Sequence, residues 1–169
     1  MTIEIKETLT GSILDIGGGG EAVIGQIYKD RVTAIDNCEE APDCCSKQLM
    51  DATELLFPDD SFDNVTFFYT LMYMTTEEQQ KSIREAARVL RAGKWMHIWD
   101  CDICSAYPEP FVIDLDVKSG TLKIHTAYGI VKRDAQSSES VVHLLESAGL
   151  RIESLQEKDG QFHIQCRKG

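Results

Sequence analysis

The sequence predicts an α/β chain: a doubly wound, mainly parallel seven-stranded sheet whose last strand runs antiparallel, with a β-hairpin inserted after the fifth strand. Three observations predict it. Short apolar, β-rich runs alternate with helical patterns through roughly the first hundred residues, as parallel βαβ units require. The first of those runs enters four consecutive glycines, Gly17 to Gly20, and then a helix start. The chain closes on two strand-like runs flanking Asp159-Gly160, a hairpin turn pair that forces one strand to reverse. One domain, residues 1–169, accounts for the whole length.

The elements follow in order. Ser12–Ile16 is a buried strand. Glu21–Tyr28 is a short helix, weakened by Gly25. Arg31–Asp36 is the second strand and Lys47–Met50 the third. The stretch between Asp36 and Asp51 is short for a helix plus a strand, so a stunted or irregular helix is expected there. Asp63–Tyr69 mixes aromatic and β-branched residues, a fourth strand. Thr75 and Glu78 stand at capping-box spacing, Ile83, Ala86, Ala87 and Leu90 recur at helical spacing, and Gly93 reads as the stop. Trp95–Trp99 is the fifth strand.

Beyond it, Phe111, Ile113, Leu115 and Val117 alternate along one run, and Leu122, Ile124, Thr126 and Tyr128 along the next, across a Lys118-Ser119-Gly120 turn. This is the inserted hairpin, at about 108–133, with one apolar face. That face needs a cover: the domain's own sheet edge, or a second subunit in a homodimer. Ser138–Ala148 is the last helix, and Leu150–Leu155 with Phe162–Cys166 is the closing hairpin. Right-handed crossovers put the C-terminal ends of the parallel strands on one edge, where such sheets bind ligands.

Composition narrows the function. The net charge is −11, from 17 Lys+Arg against 28 Asp+Glu, and this argues against nonspecific nucleic-acid or anionic-membrane binding. No apolar run is long enough to span a bilayer. The opening Met1-Thr2-Ile3-Glu4-Ile5-Lys6-Glu7 is too acidic for a signal peptide. A cytoplasmic location is expected, with Cys38, Cys44, Cys45, Cys101, Cys104 and Cys166 as free thiols.

The segment from Ile13 through Glu21 is the most informative. Glycines after a strand admit φ > 0 and let a ligand approach backbone, and a helix start offers unpaired N–H groups. Spacing leaves two ligands open. Gly17-x-Gly19-x-x-Ala22 fits the dinucleotide pattern, and Asp15-x-Gly17-x-Gly19 fits the S-adenosylmethionine pattern. Asp36, at the end of the second strand, can accept from both ribose hydroxyls of either ligand.

Four stretches make the resemblance specific: ILDIGGG (13–19), VTAID (32–36), DATELLFPDDSFDNV (51–65) and REAARVLRAG (84–93). With them the chain resembles the class I S-adenosylmethionine-dependent methyltransferases of small-molecule type, similar to those of ubiquinone and menaquinone biosynthesis. The resemblance implies a Rossmann-like fold, S-adenosylmethionine as cofactor and methyl transfer to an unidentified small-molecule acceptor. It also implies that Asp15, Gly17, Gly18 and Gly19 shape the pocket for the amino-acid end of the cofactor. Asp36, with Asn37 beside it, would hold the ribose; Asp51 and Ala52 would meet adenine; Tyr69 and Thr70 would lie near the methionine part and the sulfonium. The Asp51 segment is hard to explain in a nicotinamide-dependent oxidoreductase.

Departures from the family set the alternative. Glu21 stands where a third glycine is usual, and Ala92 and Lys94 replace the usual Pro and Gly. No base is evident, and no long segment precedes the first strand. These features motivate a non-catalytic S-adenosylmethionine-binding sensor or partner subunit. The family has no universal catalytic residue to carry over. Asp100 and Asp102 follow the fifth strand, where a base would sit, but strand capping is the milder reading. Tyr73, Trp99 and Tyr107 are candidate walls of an acceptor pocket. His97 reads as structural, and His125 as a surface pair with Asp114 or Asp116. Cys101-x-x-Cys104 lacks the second pair of a zinc site, so no metal is expected.

Overall fold

The computed structural model describes residues 1–40, 42–104, 109–132 and 134–169. Its strands are β1 (Thr2–Glu4), β2 (Ile13–Ile16), β3 (Val32–Asp36), β4 (Ser46–Leu49), β5 (Phe62–Phe68), β6 (Leu90–Cys101), β7 (Phe111–Ser119), β8 (Leu122–Ile130), β9 (Leu150–Lys158) and β10 (Gln161–Lys168). The helices are α1 (Val23–Tyr28), α2 (Thr76–Val89) and α3 (Ser138–Ser147). Seven strands form one sheet in the order β4-β3-β2-β5-β6-β10-β9. Its pairs from β4 through β6 are parallel. β10 is antiparallel to both β6 and β9, so it alone is reversed. All four residues of β2 are buried, as an apolar strand covered on both faces must be.

One face of the sheet is covered by α2 and α3. Thr75 Oγ1 accepts from the Glu78 N–H at 3.3 Å and Glu78 Oε2 accepts from the Thr75 N–H at 2.7 Å, so the capping box closes in both directions. Ile83, Ala86, Ala87 and Val89 then pack with Val141 and Leu145 of α3 against the sheet. The helix does not run on to Gly93. Leu90 is already extended and pairs with Phe62. Lys168 Nζ binds the carbonyls of Arg88 and Leu90 at 3.2 and 2.6 Å, satisfying acceptors that the helix end exposes. Gly93, at φ 72°, bends the first part of β6. Between Asn37 and Cys45 the described residues contain no helix.

The opposite face is covered by α1 and by a second, three-stranded sheet, β1-β7-β8. Burial alternates along the hairpin as its sequence does, with Ile113, Leu115, Val117 and Ile124 turned inward. They pack among Ile5, Leu9, Val23, Ile24 and Trp99. Each such side chain contributes about 2 kcal/mol of burial. The hairpin's apolar face is therefore covered by the body of its own chain. It packs on a face of the seven-stranded sheet rather than at its edge, so the apolar argument for a homodimer no longer rests on it. Residues 1–5, to which the sequence assigns no element, provide β1, parallel to β7 with Ile3 opposite Val117.

Candidate functional site

The C-terminal ends of β2, β3 and β5 open on a cleft of about 470 Å³, a volume typical of small-molecule sites. Eight residues expected at the cofactor line it: Gly17, Gly19, Asp36, Asn37, Asp51, Ala52, Tyr69 and Thr70. Asp15 and Gly18 do not; both are buried, Asp15 near the end of β2 and Gly18 within the glycine turn.

The turn is built by the ends of three strands. The N–H groups of Gly17 and Gly18 both donate to the Ile35 carbonyl, at 2.8 and 3.1 Å. The Gly19 N–H donates to Asp36 Oδ2 at 2.9 Å. Gly17 has φ 78°, and a Cβ there would lie 2.3 Å from Thr70 Cγ2. A Cβ on Gly18 would meet Asp15 Oδ2 at 2.4 Å, and one on Gly19 would meet Asp36 Oδ2 at 2.5 Å. The three glycines make room for the chain's own side chains, not only for a ligand as their sequence suggests. Gly20 differs: nothing lies within 4 Å of its missing side chain.

Asp36 is held on both oxygens. Besides the Gly19 contact, Oδ1 accepts from the Cys38 N–H at 2.9 Å. Each oxygen keeps one lone pair for a further donor, which suits a diol at the cleft wall. Asp51 Oδ1 accepts from both the N–H and the hydroxyl of Thr53 at 2.8 Å, and these bonds lower its pKa. It both caps the turn and lines the cleft. Ile35, Met50 and Ala52 give that wall an apolar surface. Asp15 is out of solvent. Burial pushes its carboxyl up to about 7, against the Thr66 hydrogen bond at 2.7 Å and with help from the Asp36 charge.

Tyr69 closes the far end. It is 1% exposed and its backbone has φ 49°, an outlier for a bulky residue that is seen mainly at functional sites. Its ring stacks on Tyr128 at 5.4 Å and 1°. Burial raises the Tyr69 phenol well above its ordinary pKa, so the hydroxyl stays neutral. That hydroxyl has no hydrogen-bond partner among the described residues. Tyr73, an expected acceptor wall, also lines the cleft, edge-on to Tyr128 at 6.4 Å. Tyr128 is the residue that sequence reading missed. Alternation places it on the hairpin's inner face, but only the docked hairpin brings it to the cleft.

The remaining candidates lie elsewhere. Asp100 is fully buried, with Oδ1 accepting from the Gln136 side chain at 2.7 Å, and burial pushes it up to about 6. Asp102 accepts from the Ser138 N–H at the start of α3. His97 is buried in mid-strand, and His125 pairs with Asp116 at 3.1 Å on the surface. Cys101 is buried and Cys104 exposed, and both are free thiols. Burial and then the neighbouring Cys44 push Cys45 up to about 12. Among the described residues no group of three or more His, Cys, Asp or Glu is placed to hold a metal, and no helix is long and apolar enough to cross a membrane. Tyr107 lies outside the described residues.

Comparison with known proteins agrees with this geometry. The methyltransferase domain family model matches residues 14–98, half of the chain. No curated protein gives a significant match. Among solved structures, an S-adenosylmethionine-dependent methyltransferase from Methanosarcina mazei is similar at 18% identity and TM-score 0.63, covering 95% of this chain and 94% of that one. The glycopeptide N-methyltransferase MtfA, complexed with S-adenosylmethionine, is similar at 12% identity and TM-score 0.63, over 96% of this chain and 89% of that one. The [4+2]-cyclase SpnF is also similar, at 16% identity and TM-score 0.62, over 95% and 76%. One fold thus serves different reactions, and these likenesses speak for the fold. The family match, together with the strand order and the glycine turn, settles the membership: the chain belongs to the methyltransferase domain family of class I S-adenosylmethionine-dependent enzymes.

Proposed function

We propose that the chain transfers a methyl group from S-adenosylmethionine to a small-molecule acceptor, with the cofactor seated in the cleft over Gly17 and Gly19. The observation that carries this reading is Asp36. Its carboxylate is fixed by two backbone N–H groups at the cleft wall, with a lone pair left on each oxygen. When bound, the cofactor supplies a methyl group activated on a sulfonium. Asp36 and Asn37 hold the ribose. Asp51 accepts from the adenine amino group, and Ala52 with Ile35 and Met50 packs on the ring. Gly17, Gly19 and Thr70 border the amino-acid end. The rings of Tyr69 and Tyr128 exclude water there and offer faces that favour positive charge. Asp15 and Gly18 act from below, by fixing the turn.

The alternative, a cofactor-binding subunit without turnover, loses one of its motives, because Glu21 is exposed to solvent. The test is calorimetric titration with S-adenosylmethionine, S-adenosylhomocysteine and NAD, on wild type and Asp36→Ala. Both adenosyl compounds bind, and the variant loses about tenfold or more, as expected for hydrogen bonds to a charged group. NAD binding in their place, or no binding by folded protein, overturns the proposal.

A further inference from the structure

The backbone just past Tyr69 is held by three buried side chains that lie outside the cleft. Tyr69, Thr70 and Tyr73 line the cleft. Between Thr70 and Tyr73, Leu71 and Met72 are fully buried in a single 3-10 turn. The Leu71 carbonyl accepts from Gln79 Nε2 of α2 at 2.8 Å and from Lys132 Nζ, two residues past β8, at 3.3 Å. The Met72 N–H donates to Oδ2 of Asp100, in β6, at 3.3 Å. None of Gln79, Asp100 and Lys132 lines the cleft.

Gln136 joins the three. It is buried, and its backbone pairs with Ile103. Its Oε1 accepts from Lys132 Nζ at 2.9 Å and from Gln79 Nε2 at 2.7 Å. Its Nε2 donates to Asp100 Oδ1 at 2.7 Å and to the Cys101 carbonyl at 2.9 Å. With two donors on one side and two acceptors on the other, the amide fits in one orientation only. It stands between a buried ammonium and a buried carboxylate. Burial lowers the Lys132 pKa, and the Asp100 charge raises it. Burying two charges is costly, and these two meet the turn that follows a strained residue. Tyr69 has φ 49°, a conformation that persists only where its surroundings over-determine the backbone. The inserted hairpin and the residues after it reach this segment twice, Tyr128 on the Tyr69 ring and Lys132 on the Leu71 carbonyl.

We infer that Lys132 and Asp100 are a pair of positioning residues: compensating each other's charge across the Gln136 amide, they fix the Leu71–Met72 backbone and so hold Tyr69, Thr70 and Tyr73 at the cleft. This rests on the methyl-transfer reading above and adds two residues on which its cofactor site depends. A buried pair that served stability alone would be dispensable as a pair. Removing one partner leaves the other charge buried alone and is strongly destabilising, whereas removing both charges together is often close to neutral. Positioning behaves differently, because the grip on the turn is lost in either case.

The test is a double-mutant cycle on the full chain. Lys132→Met keeps the side chain's length and removes its donors. Asp100→Asn removes the charge and leaves one acceptor oxygen where the carboxylate had two. Melting temperature is measured for wild type, both single variants and the double, and S-adenosylhomocysteine affinity is measured by calorimetry well below each melting temperature. The double variant melts above either single, because no charge is left buried alone. It nevertheless binds S-adenosylhomocysteine no better than the singles, about fivefold or more below wild type, as coupling between separate sites allows. Its amides at 71–74 exchange faster than in wild type, while those of β2 do not. Affinity that recovers in step with melting temperature, near-wild-type affinity in the double, or unchanged exchange at 71–74 reduces the pair to a structural one and overturns the inference. A double that melts no higher than the singles overturns the pairing across Gln136. Failure of wild type to bind S-adenosylhomocysteine overturns the underlying reading instead.

Discussion

The chain has two regions that were built by different rules. The first, from β2 through β6, holds the cofactor cleft, and its elements are short, consecutive and signposted. The second consists of β1, the β7–β8 hairpin and the β9–β10 hairpin. Its strands cover one face of the first region or extend its sheet beyond β6, and they meet that region over long sequence distances. The Met1 amino group donates to the Asp114 carbonyl, a separation of 113 residues. Local signals suffice for the first region because Gly17, Asp36, Asp51 and Tyr69 stand at or just past the ends of β2, β3, β4 and β5. In the second, position depends on which faraway strand is met, and no local pattern records that.

The largest effects test how tightly the glycine turn is packed. Gly17→Ala puts a Cβ 2.3 Å from Thr70 at positive φ. About 4 kcal/mol of stability should be lost from overpacking and backbone strain together, measured by urea denaturation. Gly20→Ala shares the positive φ and meets nothing within 4 Å, so about 1 kcal/mol is expected. Equal losses would show that the turn's glycines serve backbone freedom alone.

The second region's membership in the core is tested next. Leu115 is fully buried under the hairpin, and Leu115→Ala should cost about 3 kcal/mol in one cooperative transition. A loss under about 0.5 kcal/mol, or a separate early transition, would make the hairpin an appendage.

A smaller effect separates the regions by pH. Asp15, in the first region, has its folded pKa raised to about 7. Between the unfolded value and 7 the folded state binds more protons than the unfolded state, so stability falls as pH rises through that window. His97 and His163, on β6 and β10, are lowered to about 4 by burial, His97 also by His163. There the unfolded state binds more protons, so stability falls as pH drops from about 6.5 toward 4. The two trends offset in wild type. Asp15→Asn removes the first, so the variant should gain on wild type from pH 5 to 8, by on the order of 2 kcal/mol, in thermal melts. A gain that shrinks with rising pH would reverse the assignment.

Legibility in the sequence followed the same division. Gly17, Gly19, Asp36, Asp51 and Tyr69 come together at one cleft, and each ends or follows a strand whose pattern is local. The resemblance implies that Asp15 helps to shape the pocket, and its carboxylate is buried out of the cleft lining: a motif gives spacing, not which side of the turn a carboxylate faces. Gly93 reads as a helix stop because glycine after an amphipathic run usually is one. Pairing of Leu90 with Phe62 ends the helix earlier. The place of Tyr128 depends on β7 meeting β1, and three residues of parallel pairing leave no periodic signal.

The most direct test of how the regions meet is hydrogen exchange with and without S-adenosylhomocysteine. The account predicts slower exchange in segments 17–22 and 36–38 of the first region and also in 126–130 of the hairpin, because Tyr128 stacks on Tyr69 at the cleft. Slowing confined to the first region, with 126–130 unchanged, would contradict it.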